Sequence, residues 1–345
     1  MVAFNEVRSQ QALEQCCQKW QNADFLALDT EFMRTNTFYP KAALFQLNDG
    51  DESYLIDPLL IDDWTPFNNL LANPEIPCIL HSCSEDLELF QCFLGQLPAT
   101  LLDTQVGAAL AGLDAGLSYQ NMVMELLGVH VPKGETRSDW LQRPLSDSQK
   151  DYAALDVIYL PVIYQKLCEK LEALGRMDWW RQEGSSTLAA AQSKSFDQYY
   201  LRVKSGWKLD PEGQAILQNL CAWREQAARD KNTPRGWLVK DPVLFEVARR
   251  KVQELDGFNG IPDISPNFVR KHGEVLISIV QHTMGNKSDW PSPLPRPLAA
   301  EAKSQMKAAR AALNSCGQRL DIDPQLIANK KELELITRAA GQETA

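Results

Sequence analysis

Between residues 24 and 58 short apolar runs alternate with turn residues: DFLALDTEF, then KAALFQL, then Asn48-Asp49-Gly50-Asp51, then SYLIDP. An Asp-Gly step between two apolar runs is a hairpin signal, so three consecutive strands are predicted, at least two of them antiparallel. After Pro66 the period lengthens. FNNLLAN reads as a helix, PCILHS as a buried strand, EDLELFQCFLG as a helix and TLLDTQ as a short strand, and several helices follow as far as Leu174. Strands first and helices interleaved afterwards predict an α/β domain over residues 1–180.

Residues 181–206 are polar, contain Gly and Ser, lack a clear period, and read as a linker. Beyond them DPEGQAILQNLCAWREQAARDK, DPVLFEVARRKVQEL and SPNFVRKHGEVLISIVQHTM have amphipathic spacing. Each opens with Asp-Pro or Ser-Pro, an N-cap followed by Pro at the first helical position, and together they predict an all-α module at 207–289. The Pro-rich WPSPLPRPL then leads to two further helical stretches, EAKSQMKAARAALNSC and DPQLIANKKELELITRAA. Residues 290–345 are therefore read as a linker and helical segment, an incomplete second module.

Composition narrows the class. A chain of 345 residues with 44% apolar residues and 9 tryptophans can pack cores, which excludes wholesale disorder and a disulfide-stapled miniprotein. No run approaches the ~18 apolar residues that span a bilayer, and MVAFNEVRSQ has no basic segment leading into an apolar one, so a soluble cytoplasmic protein without membrane contact is expected. The 8 cysteines include no Cys-x-x-Cys pair, which argues for reduced thiols and against structural zinc. The net charge of -10 by itself disfavours a polyanion as partner. That average hides an asymmetry: residues 206–345 hold 20 basic and 17 acidic residues, and the first 205 hold 15 basic and 28 acidic.

The acids of the first half fall in a pattern. Asp29 and Glu31 stand two apart in LALDTEF, and side chains at i and i+2 share one face of a strand. In isolation such a pair is an ordinary strand end. The segment from His81 to Asp86 carries an apolar strand through a small-residue turn into a helix with Glu85 and Asp86 in its first turn, where the macrodipole alone accounts for either acid. Tyr152 and Asp156 are i and i+4 on a helix, hence on one face, in an alanine-rich segment that must pack on the sheet. A lone carboxylate there is expensive unless it meets a partner or a metal. Asp29, Glu31, Asp86 and Asp156 together make an all-oxygen set, the type that Mg²⁺ or Mn²⁺ prefers. Two such ions activate a water and stabilise the leaving oxygen of a phosphodiester.

LALDTEFMR, LHSCSEDLELF and YAALDVIYL resemble, in this order, the three motifs of the DEDD superfamily of 3′-5′ exonucleases in its tyrosine-containing branch. In detail the chain is similar to the ribonuclease D family over about residues 1–290, including the segments at 102–105, 118–129 and 137–156. The resemblance implies a ribonuclease H-like α/β domain followed by an all-α helicase-and-ribonuclease-D C-terminal domain. It implies that Asp29, Glu31 and Asp156 ligate one divalent ion, that Asp29 bridges to a second, that Asp86 holds the second through water, and that Tyr152 orients the attacking water. It further implies removal of 5′-mononucleotides from RNA 3′ ends, in tRNA 3′-end maturation, with tRNA precursors and other structured RNA as partners.

Thr30, Phe32 and His81 flank the acids and are candidates for substrate contact. In the helical part Arg224, Arg229, Lys231, Arg235, Lys240, Arg249, Arg250 and Lys251 are candidates to meet phosphates, with Trp223 and Trp237 nearby. The ordinary alternative is a solvated basic face and core tryptophans. Two functional readings compete with an exoribonuclease. A 3′-5′ exodeoxyribonuclease uses the same acids, because the metal site is indifferent to the sugar and only the 2′-hydroxyl separates the two. A catalytically inactive RNA-binding adaptor is opposed by the complete acid set with Tyr152.

Overall fold

The computed structural model describes residues 2–132, 134–135, 138–192 and 196–343. The chain divides into two units, one made of Met1–Met33, Pro40–Ser193 and Ala299–Ala345, the other of Arg34–Tyr39 and Lys194–Leu298.

The first unit is built on one sheet of β1 (Asn5–Val7), β2 (Leu26–Met33), β3 (Lys41–Asn48), β4 (Ser53–Ile56), β5 (Cys78–Leu80) and β6 (Leu101–Asp103), in the order β1-β4-β3-β2-β5-β6. β2, β3 and β4 form the antiparallel meander that the apolar runs predict, and β5 pairs parallel with β2 and β6. The turn between β3 and β4 uses Gly50 at φ +98°, a conformation costly for any residue with a Cβ. Asp49 caps that turn by accepting the Glu52 N–H at 2.8 Å. β1 has three residues, too few for a period to show, and no sequence signal predicts it.

Alternation divides β2 between two cores. Leu26 and Leu28 join Phe45 and Leu47 on one face, against Leu13 and Trp20 of α1 (Gln10–Trp20) and Phe67 of α2 (Thr65–Leu71). α3 (Ser84–Leu89) packs Leu87 and Leu89 into the same core. Ala27 faces the other way, toward a core supplied by α4 (Thr104–Leu110), α5 (Tyr119–Leu127), α6 (Asp147–Ile158), α7 (Leu160–Ala173) and α8 (Met177–Gln192).

Two parts of the expected domain plan are corrected. Residues 181–192, read as linker, are the second half of α8, and residues 193–195 lie outside the described residues. The glycine that suggested a linker lies on a packing face, with the serines beside it exposed: a Cβ at Gly184 would meet the Leu101 carbonyl oxygen at 1.9 Å, so only glycine lets α8 lie this close to β6. Nor do the last helices make a second module. α13 (Ala300–Leu320), α14 (Pro324–Ile327) and α15 (Lys330–Glu343) group with the first unit. Buried Arg176 ties them in, donating to the Leu110 carbonyl at 2.5 Å and to the Leu320 carbonyl, and Leu326 packs on the α4–α8 core.

The second unit is all-α. α9 (Pro211–Asp230), α10 (Arg235–Leu238), α11 (Asp241–Arg250) and α12 (Pro266–Gly285) surround Ile216, Leu220, Leu244, Val247, Leu276 and Val280. Asp210 and Ser265 cap α9 and α12 as the Asp-Pro and Ser-Pro steps predict, accepting at 2.7 and 3.1 Å. Asp241 does not cap α11. It is the first helical residue, and its carboxylate takes the Arg224 guanidinium at 2.5 Å. The segment 291–298 stays with this unit, Leu294 N–H donating to Gln214 at 2.7 Å. Among the described residues no helix is long and apolar enough to cross a membrane, and none of the 8 cysteines is in a disulfide.

Candidate active site

β2 presents Asp29 and Glu31 on one face, directly opposite Gln46 and Leu44 of β3. α6 covers that face. Its start is fixed by a capping box, Ser146 Oγ accepting the Gln149 N–H at 3.1 Å while the Gln149 side chain accepts the Ser146 N–H at 3.0 Å. Ala153, Ala154 and Val157 turn inward, and Tyr152 and Asp156 follow on adjoining turns of the helix. The loop ahead of α6 is tied to the sheet by Arg143, which grips Asp57 through two bonds of 2.6 and 2.7 Å and reaches the Ala43 carbonyl at 2.6 Å. Gly134 lies against the Tyr152 ring, where a Cβ would meet Cδ2 at 2.9 Å.

Asp86 comes from the first turn of α3 and is buried, 7% exposed. Thr30 Oγ1 donates to it at 2.5 Å. The turn that aims α3 is held from β6: Asp103 accepts the N–H groups of Ser82 and Cys83, each at 3.0 Å, and Ser82 adopts φ +57°.

The charges of the acids converge on β2, where Asp29 feels the other three and Glu31 feels Asp156 and Asp86. Surrounding protein raises the Asp29 pKa well above the ordinary value, and the charges of Asp86, Asp156 and Glu31 add to that. Glu31 is pushed up to about 9 by desolvation, then by Asp156 and Asp86. Desolvation lifts Asp86 to about 6 against the Thr30 hydrogen bond, and Asp156 to about 7 against a hydrogen bond from Tyr152. The groups that set these values include no Lys or Arg among the described residues. Among the described residues no three His, Cys, Asp or Glu side chains close around one point. Like charges gathered in one neighbourhood are what a divalent cation relieves, and the donor set is all oxygen.

The other candidates have definite places. Thr30 is engaged by Asp86, and Phe32 packs partly against the α1–α3 core. His81 shares its Nδ1 with Thr104 Oγ1 at 3.0 Å and meets the Tyr119 ring at 5.8 Å, while its Nε2 is buried without a partner among the described residues. In the second unit Arg224, 5% exposed, is directed inward to Asp241. Arg235 binds the fully buried Glu225 at 2.5 Å, and Arg229 lies 3.9 Å from the same carboxylate. Both guanidiniums also cover Phe38, at 4.5 and 4.8 Å from its centroid. Lys240 pairs with Asp263, Arg249 and Arg250 with Glu246, and Lys251 with Asp210 and Glu212. Lys231 is the one of these eight cations with no carboxylate in salt-bridge range among the described residues, its Nζ lying 3.2 Å from His272 Nε2. Trp223 packs partly on the helical core, whereas Trp237 is 68% exposed.

Three residues of the site escaped the sequence reading. Tyr119 donates to the Leu155 carbonyl at 2.8 Å and lies near enough to Asp156 and Asp29 to feel their charge. Asp103 sits in TLLDTQ, where the sequence shows only a strand end. Gln46 left a usable sign, a polar residue inside the apolar run KAALFQL.

Residues 4–172 match the family model described as 3′-5′ exonuclease, and residues 213–280 match that of the HRDC domain. A ribonuclease D from Pseudomonas paraeruginosa is 41% identical over 336 residues, 96% of this chain and 89% of the relative. The chain belongs to the ribonuclease D family. Its membership extends over both units: the ribonuclease D of Escherichia coli is 32% identical over 96% of this chain and 88% of its own length. The crystal structure of Escherichia coli RNase D, an exoribonuclease involved in structured RNA processing, matches with a TM-score of 0.91 at 31% identity, over 99% of this chain and 92% of that one. A ribonuclease D family member is a hydrolase of the 3′-5′ exoribonuclease class, and the ribonuclease H-like domain followed by a helical domain is the architecture expected from the sequence motifs.

Proposed function

We propose that this ribonuclease D family member removes 5′-mononucleotides from the 3′ ends of structured RNA, tRNA precursors among them, and that Asp29, Glu31, Asp86 and Asp156 hold the two divalent ions, Mg²⁺ or Mn²⁺, on which hydrolysis depends. The observation that carries the reading is that all four carboxylates are pushed upward, Asp29 and Glu31 by the charges of the others as well as by desolvation, with no basic group among the described residues that offsets it. Asp29, Glu31 and Asp156 would hold one ion, with Asp29 shared, and Asp86 the other. When bound, the ions supply the positive charge that lowers the pKa of a water and stabilises the leaving oxygen.

The remaining chemistry belongs to the side chains. Burial and the neighbouring acids push the Tyr152 phenol above its ordinary pKa, so it stays protonated at neutral pH. A protonated phenol is a donor and an orienting group, not a base. Tyr152 therefore aligns the attacking water. Thr30 keeps Asp86 in one rotamer by its hydroxyl bond. For RNA capture the helical unit is the natural anchor, and within it Lys231, without a carboxylate partner among the described residues, and exposed Trp237 are the side chains placed to meet phosphate and base.

RNA and DNA oligonucleotides labelled at the 3′ or the 5′ end, incubated with and without EDTA, test the whole reading. Labelled mononucleotide released from the RNA 3′ end only with divalent metal is the expected result. EDTA-resistant cleavage would end the metal assignment, and equal cleavage of DNA the assignment to RNA.

A further inference from the structure

Gln46 stands in the middle of β3 on the face covered by α6, where strand alternation calls for an apolar residue. It is 0% exposed, and neither Oε1 nor Nε2 has a hydrogen-bond partner among the described residues. Its register neighbours are Asp29 on β2 and Leu55 on β4, so the row across the sheet reads carboxylate, amide, leucine. The apolar cluster on this face contains Leu44, Leu55, Ala153, Ala154 and Trp140. A leucine at position 46 would suit that setting, and a buried amide without a partner destabilises the fold. An amide offers both a donor and an acceptor, so the Nε2 of Gln46 needs an acceptor to be satisfied. Side chains directly opposite one another on antiparallel strands have Cβ atoms about 4.5–5.5 Å apart, within reach of a glutamine amide, and the acceptor at that place is Asp29.

We propose that Gln46 is a positioning residue for the ion site: its amide, which has no partner among the described residues, gains the Asp29 carboxylate as acceptor when an ion draws that carboxylate into a fixed orientation. The proposal rests on the metal reading given above. It assigns Gln46 no contact with substrate. An ion that fixes the Asp29 carboxylate in one orientation gives the buried amide opposite it an acceptor, so the hydrogen bond gained adds to the free energy of binding the ion. Losing such a partner weakens metal binding by roughly 10–100-fold.

The test is Gln46→Leu in the full chain, with Gln46→Met as a second variant that keeps the unbranched stem if leucine disturbs packing. Mn²⁺ is titrated calorimetrically at neutral pH, and Tm is measured with and without Mn²⁺. The expected result is a metal-free Tm equal to or above that of the parent, with Mn²⁺ affinity weaker by about tenfold or more and a smaller rise in Tm on adding Mn²⁺. If the parent binds Mn²⁺ and either folded variant binds it equally well, Gln46 is a packing residue or the partner of a buried water, and the proposal is overturned by itself. If the parent shows neither heat nor a Tm rise with Mn²⁺, the metal reading falls and this proposal falls with it.

Discussion

Asp156 receives a hydrogen bond from Tyr152 and still stands at a pKa of about 7, so burial outweighs the phenol's help. That balance assigns separate work to the two side chains. Tyr152→Phe removes one hydroxyl and no charge; turnover is expected to fall about 100-fold or more with Mn²⁺ affinity unchanged. Asp29→Asn and Asp156→Asn should abolish hydrolysis and raise the metal-free Tm at neutral pH, because each removes a carboxyl group whose pKa the fold raises and which the unfolded chain holds more comfortably as the anion. Single-turnover rates and calorimetric Mn²⁺ titration on the same samples check both. Loss of Mn²⁺ binding in Tyr152→Phe equal to that in Asp29→Asn would refute the orienting role. At this scale the acids were legible because strand and helix periodicity fix their faces. The cations were not: Arg235 and Arg229 answer to Glu225, and no spacing rule reveals that a glutamate in the middle of α9 is fully buried.

β2, α3 and α6 each contribute acids, and their junction responds to pH as a unit. Glu31, Asp156 and Asp86 have folded-state pKa values raised to about 9, about 7 and about 6. The metal-free fold therefore holds more protons here than the unfolded chain does. The stability linked to these protons is complete below about pH 4 and is lost as pH rises through the folded values. A divalent ion replaces the protons, so the rise in Tm produced by saturating Mg²⁺ should grow between about pH 5 and about pH 8.5. Scanning calorimetry at several pH values, with and without Mg²⁺, measures it; an increment that stays flat or shrinks with pH would show that the carboxylates are not where the ion acts. The elements themselves were mostly legible in the chain, from the β2–β4 meander to the Pro-led α9 and α12. α8 was misread because its Gly184 and serines resemble a linker until the closeness of β6 explains the glycine.

Dividing the charges by the observed units sharpens the asymmetry seen along the chain: the second unit holds 17 basic and 12 acidic residues, the first 18 and 33. Most of the second unit's basic candidates are nonetheless paired internally, so RNA affinity should depend on few positions. In an Asp29→Asn background, which prevents cleavage, Lys231→Glu should weaken RNA binding and flatten the plot of log affinity against log salt by about 0.7 per lost phosphate contact. Lys240→Glu, at a cation already facing Asp263, should change the slope less. Fluorescence anisotropy at several salt concentrations compares them, and identical slopes for Lys231→Glu and its parent would remove Lys231 from the interface. One consequence of the domain plan concerns synthesis. Residues 299–343 leave the ribosome after the entire helical unit, yet they fold onto the catalytic one, where Leu326 closes part of its core. The unit that is begun first is thus finished last, and until α14 emerges its nascent form has an apolar gap for chaperones to cover.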